Sequence, residues 1–152
     1  MKKKQVLAKY DNIINDIEKR VNRVNSGGCG LYAKMLGDIL SKNKIKFEYV
    51  ILFRQKVTRD KDLKNYIENN DVKMVNNWYH WSHVMVKIGK NYVDAVGVFN
   101  SPMFNGSILE TKKVSDKFLN DLLEQKHFWN PTFNRKTEKT KIQRILKKHL
   151  VD

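Results

Sequence analysis

The stretch Trp81–Phe99, WSHVMVKIGKNYVDAVGVF, constrains the fold more than any other part of this chain. Val84, Val86 and Ile88 alternate, Gly89-Lys90 supplies turn chemistry, and an apolar segment from Tyr92 to Phe99 returns. Two such runs joined by a two-residue turn make a β-hairpin. Closing the turn at Gly89-Lys90 sets Ile88 opposite Asn91, and so sets Met85 opposite Asp94. Residues 83 and 85 share a face because the strand period is two. Asp94 is then a diagonal, same-face neighbour of His83, within reach of its ring. A slip of one residue would put the two on opposite faces.

Helices flank this hairpin. Leu7, Tyr10, Ile14, Ile17, Val21 and Val24 recur every three or four residues, which predicts an amphipathic helix from about Lys4 to Asn25, ended by Asn25-Ser26-Gly27-Gly28. A second helix, about Cys29 to Ser41, carries Leu31, Tyr32, Met35, Leu36, Ile39 and Leu40. KIKFEYVILF then alternates as a strand, and its apolar Val50 and Leu52 predict burial on both faces. TRDKDLKNYIENN reads as a short polar helix or loop, and Pro102 to Gly106 as a loop. Ser115 caps a helix to about Lys126 with Phe118, Leu119, Leu122 and Leu123 as its stripe. FWNPTFNR is a turn-rich connection around Pro131, and a last helix from about Lys136 to Leu150 carries Ile142, Ile145, Leu146 and Leu150. The sum is an α+β domain: a small antiparallel sheet between N-terminal and C-terminal helices, with a cysteine at a helix N-terminus. One domain covers 1–152, with a core at about 26–99 and a helical extension at about 107–150.

Length and composition suit that reading. A chain of 152 residues, 41% hydrophobic and 11% aromatic, builds one modest core. No apolar run is long enough to predict a transmembrane helix, and MKKKQVLAKYDNII lacks the apolar centre of a signal peptide. A single cysteine makes no internal disulfide, so a reducing cytoplasm is the expected compartment. The net charge of +14 attracts nucleic acid or an acidic protein as partner. Most of that charge is lysine, which AT-rich codons favour along with asparagine and isoleucine. Apart from MKKK and KTEKTKIQRILKKHL the lysines are spread along the chain, so a solvated surface is the preferred reading. Small size and this composition suit a mobile-element or phage accessory protein.

The cysteine lies in NSGGCGLYAKML, between glycines and at the start of a helix. A helix N-terminus presents unpaired N–H groups and positive potential, which favour a thiolate. Gly27, Gly28 and Gly30 let a substrate approach the thiol closely and let backbone N–H groups face a developing oxyanion. A thiolate nucleophile needs a base, and the base needs an orienting group. His83 and Asp94 supply both. Taken singly, Cys29 is a small buried hydrophobe, His83 a core histidine and Asp94 a surface charge. Taken together, in the order Cys, His, Asp, they predict Cys29 for attack, His83 as base and acid, and Asp94 to hold the imidazole tautomer.

GGCGLYAKMLGDILSKNKIKFEYV followed by HVMVKIGKNYVDAVGVF resembles the core of transglutaminase-like proteins, relatives of the papain-like thiol hydrolases. Tyr32-Ala33, Leu36, Ile39 and Leu40 match that family's helix after the cysteine, and Tyr92-Val93-Asp94 matches its last strand. The resemblance covers about Ser26 to Phe99. It implies a Cys-His-Asp triad acting on amide or ester carbonyls through an acyl-enzyme. Papain-like enzymes often carry a glutamine ahead of the thiol; none sits there, leaving Asn25 or Gln5 for that place.

NNWYHWSHV precedes the histidine, and Trp78, Tyr79 and Trp81 are candidates to wall a substrate groove or to pack an aromatic-rich strand. His80 and His83, three apart on a strand, point to opposite faces and do not form a metal pair. His127 and His149 receive no role, and no cofactor or metal is implied. The expected function is a thiol-dependent hydrolase or acyltransferase on amide bonds of a protein or peptide. The alternative is a basic binding module for nucleic acid or an acidic protein, with Cys29 structural.

Overall fold

A computed structural model describes residues 1–21, 28–125 and 135–151. Val24, Asn25, Ser26, Gly27, His127 and the segment around Pro131 lie outside the described residues. The order of elements is α1 (Lys3–Arg20), α2 (Cys29–Lys42), β1 (Glu48–Phe53), α3 (Lys61–Glu68), α4 (Val72–Trp78), β2 (Trp81–Ile88), β3 (Asn91–Val93), β4 (Val98–Phe99), β5 (Met103–Phe104), β6 (Ser107–Ile108), β7 (Glu110–Val114), α5 (Asp116–Leu123) and α6 (Arg135–Leu150). The architecture is α+β.

The hairpin register is the one its turn dictates: Ile88 faces Asn91, Lys87 faces Tyr92 and Val86 faces Val93. Gly89 takes φ +62°, which explains a glycine at the turn. The returning strand is shorter than its apolar run implies. Asp94 Oδ1 accepts from the N–H groups of Val96 (2.8 Å) and Gly97 (3.0 Å), which folds the chain into a turn. Val98 and Phe99 then come back to pair with Val93 and Tyr92.

Five antiparallel strands form one sheet in the order β4-β3-β2-β1-β7, and β5 and β6 form a separate hairpin. β1 is buried along almost its whole length, because both faces of the sheet are covered. Tyr49, Ile51, Phe53, Val84, Val86 and Ile88 enter the main core with α1, α2, α5 and α6. Val50, Leu52 and Met85 form a smaller cluster on the other face, covered in part by Tyr92, Phe99, Phe104 and Leu109.

Several elements differ from expectation: Met103–Phe104 pairs with Ser107–Ile108 where a loop is expected, and β1 begins only at Glu48. α1 stops at Arg20 because Val21 turns extended (φ −108°, ψ 125°), and it buries Val6, Tyr10, Ile13 and Ile17, a stripe rotated slightly from the one expected. α4 has no counterpart among the expected elements: Asp71 caps it by accepting from Met74 N–H at 3.2 Å, so Trp78 ends a helix, whereas Trp81 begins β2. The 107–114 segment is not helical; β7 completes the sheet beside β1. α5 ends at Leu123, short of Lys126, though Ser115 caps it and its four expected apolar residues are buried. Among the described residues no helix is long and apolar enough to cross a membrane.

Candidate active site

Cys29 is the first residue of α2 and is buried, as are Gly28 and Gly30 on either side. Gly28 caps the helix with φ −114°, so no left-handed backbone is needed there. The first helical hydrogen bond runs from Tyr32 N–H to Gly28 C=O at 2.9 Å. The N–H groups of Cys29, Gly30 and Leu31 therefore have no acceptor within the helix, as in the first turn of any helix.

His83 and Asp94 meet as the hairpin register requires. Nε2 of His83 lies 2.8 Å from Asp94 Oδ2, and both side chains are almost wholly buried. A carboxylate acceptor makes Nε2 the protonated nitrogen of the neutral ring. Asp94 is itself held, since its other oxygen is occupied by the Val96 and Gly97 N–H groups. Phe104 stacks on the His83 ring, with centroids 4.6 Å apart and an interplanar angle of 20°.

The remaining ring nitrogen, Nδ1, is buried and closes no hydrogen bond of ordinary geometry. Cys29 nevertheless acts on the ring as a whole. Burial would push the ring below its ordinary 6.5; hydrogen bonding with Asp94, then with Cys29, and the charge of both raise it instead to about 9.

Strand alternation places His83 with Leu52 and Met85 on the face away from the helices, whereas Cys29 belongs to the helix-side core. The topology reconciles the two. β3 pairs with β2 only over residues 86–88, so β2 is itself the sheet edge at His83. A group from the helix layer can reach the ring around that edge. The β1–β2 register also shifts there: Leu52 faces His83 but Phe53 faces Trp81, which skips Ser82. Such irregularities re-aim side chains.

A second set of buried groups ties these elements together. Tyr10 of α1 donates its hydroxyl to the Asp94 backbone oxygen at 2.8 Å and lies 2.6 Å from the Tyr32 hydroxyl, one turn after Cys29. Burial, first of all, pushes both phenols upward, so both remain neutral hydrogen-bonding groups. In the sequence Tyr10 and Tyr32 are residues of apolar stripes, and Phe104 carries no functional signal. Their spacing carried no signal beyond packing.

Other expectations fare differently. Trp78 is 70% exposed at the end of α4. Trp81 packs partly against the main core and donates its indole N–H to Asn76 at 3.1 Å. Neither lines the cavity of about 390 Å³ beside the site, which Asp94, Val96, Phe99, Met103 and Phe104 help to form. Gln5 accepts from Lys2 N–H at the start of α1, so it serves as a cap and not beside the thiol. His80 is exposed, and among the described residues no cluster of potential metal ligands occurs. His149, given no role, bonds Asp16 through Nε2 at 2.7 Å.

Comparison with family models, with curated proteins and with solved structures gave no match.

Proposed function

We propose that the protein is a thiol-dependent hydrolase or acyltransferase with a transglutaminase-like core, acting on amide bonds of a protein or peptide. One observation supports this reading: a buried His83 is held through Nε2 by Asp94 and its other nitrogen has no partner among the described residues, while a cysteine at a helix N-terminus acts on the same ring. A purely structural histidine in a core is usually satisfied at both nitrogens. Here the unsatisfied one is the nitrogen that proton transfer would use.

In this mechanism Cys29 sulfur attacks the acyl carbon as a thiolate, with the proton on His83 Nδ1. Negative charge builds on the carbonyl oxygen and is met by N–H groups of the first turn of α2. His83 then gives its Nδ1 proton to the leaving amine, and the C–N bond breaks to leave a thioester on Cys29. Water or an amine attacks the thioester, returns a proton to His83 and releases the acid or the new amide. Asp94 keeps the Nε2 proton in place throughout. A reducing cytoplasm suits such a thiol.

The test is a burst experiment with a p-nitrophenyl ester. The expected result is release of one equivalent of p-nitrophenol, a Cys29 thioester detected by mass spectrometry, and loss of both in Cys29→Ala. A thioester that forms as fast in His83→Ala as in the wild type would sink the reading.

A further inference from the structure

Positive charge collects at the end of the molecule far from the thiol, and acyl transfer makes no use of it. α2 carries the chain 14 residues away from Cys29, which at 1.5 Å per residue is about 20 Å. β2 carries it a similar distance from His83 to the hairpin tip, at roughly 3.3 Å per residue. Two adjoining cavities of about 410 and 420 Å³ open at that end and share Lys46 and Gly89. Lys2, Lys3 and Lys44 help to line the first, and Lys87 and Lys113 the second.

The lysines come from separate places in the chain: the start of α1, the α2–β1 connection, the hairpin and β7. Codon bias scatters lysine but does not bring these segments to one concavity. Among the described residues Glu48 is the one carboxylate lining either cavity, and it lies 3.7 Å from Lys113. Lys2, Lys3, Lys44, Lys46 and Lys87 form no ion pair among the described residues. Lys3 is folded against the hairpin, since a Cβ at Gly89 would lie 2.2 Å from its Nζ. Such a cluster of ammonium groups is self-repelling and favours a polyanion.

Phe47 distinguishes one polyanion from another. It lines the second cavity among Lys46, Lys87 and Lys113, half-buried against the main core and at 77° to the Tyr49 ring with centroids 5.1 Å apart. A flat ring set among lysines gives an unpaired base a stacking surface while the ammonium groups follow the backbone. An acidic polypeptide has no base to stack there. We propose that these joined cavities bind single-stranded nucleic acid, with lysines on its phosphodiester backbone and Phe47 against a base.

The test measures anisotropy of fluorescein-labelled oligothymidine with the full chain between about 50 and about 200 mM salt. Replacing Lys3, Lys46 and Lys87 together by Gln should weaken binding at least about tenfold and flatten the log–log salt slope by about 2, since each single-strand contact contributes about 0.7. Phe47→Leu should weaken binding about five- to tenfold and leave the slope unchanged. An equal change of charge on α6, with Lys136, Lys139 and Lys147 replaced by Gln, should leave affinity and slope near wild type. Circular dichroism checks that each variant is folded. Cys29→Ala should bind as the wild type does, which keeps this proposal separate from the acyl-transfer reading. No binding by the wild type, equal losses in the two triple variants, or displacement by polyglutamate as effective as by unlabelled oligothymidine would each overturn it.

Discussion

The Tyr10 hydroxyl donates to the Asp94 backbone oxygen across 2.8 Å, and so joins the first helix to the loop that carries the proposed orienting carboxylate. Because Tyr10 donates there, the Tyr32 hydroxyl at 2.6 Å must donate to Tyr10. Tyr10→Phe leaves two buried groups unsatisfied, the Asp94 carbonyl and the Tyr32 hydroxyl, at a cost of about 1–3 kcal/mol. The expected fall in Tm is about 5 °C. Tyr32→Phe spares the bond to Asp94 and should cost less. Thermal unfolding of the two variants checks this, and an unchanged Tm in Tyr10→Phe would show that the link contributes nothing.

Gly37 sets two familiar effects against each other. In the interior of α2, glycine to alanine should gain about 1 kcal/mol of helix propensity. A Cβ at Gly37, however, would lie 2.0 Å from the Tyr49 hydroxyl oxygen and 2.5 Å from Cζ. That ring is buried against Phe47 and the main core, so it has little room to withdraw. Overpacking of this kind costs about 1–3 kcal/mol. The clash should win, and urea unfolding of Gly37→Ala should give a lower midpoint than the wild type. A higher midpoint would mean that the ring moves aside freely.

These particulars show what the sequence exposes and what it hides. The His83–Asp94 pairing was legible because a two-residue turn and a period of two leave one register. Cys29 at a helix start was legible from its glycines and the apolar stripe that follows. β7 was not, since Glu110 to Val114 is too polar to announce a strand; its pairing with β1 is a tertiary choice. α4 was hidden because Val72 to Trp78 is short, and its Asp71 cap is the one start signal it carries. The Tyr10–Tyr32–Asp94 chain and the Phe104 stack join residues far apart in sequence, and periodicity does not encode them.

Titration of His83 gives a direct reading of its surroundings. Its folded-state pKa of about 9 lies above the ordinary 6.5 of an exposed ring. The interactions responsible therefore stabilise the fold in full below pH 6.5, and their contribution is lost as the pH rises through about 9. Proton NMR of the ring should show the high value in the wild type. Cys29→Ser should lower it, because part of the rise comes from the thiol. A wild-type value near or below 6.5 would mean that burial wins over Asp94 and Cys29.

Asp94→Asn separates a turn-forming carboxylate from one that serves the histidine. The Val96 and Gly97 N–H groups need an oxygen acceptor, and the amide oxygen of Asn can take the place of Oδ1. The turn should survive, but the amide NH₂ is then directed at His83 Nε2. An NH₂ donor can bond Nε2 only when that nitrogen carries no proton. The neutral ring is thus forced to hold its proton at Nδ1, on the side of Cys29, and imidazolium would set two donors against each other. Both effects oppose the thiolate–imidazolium pair. We expect alkylation of Cys29 by iodoacetamide near pH 7, and ester turnover, to fall on the order of 10- to 1,000-fold. The His83 pKa should fall in the same variant, and near-UV circular dichroism should stay unchanged. If alkylation, turnover and the histidine titration all match the wild type in a folded Asp94→Asn protein, the carboxylate only closes a turn and the proposed triad has no third member.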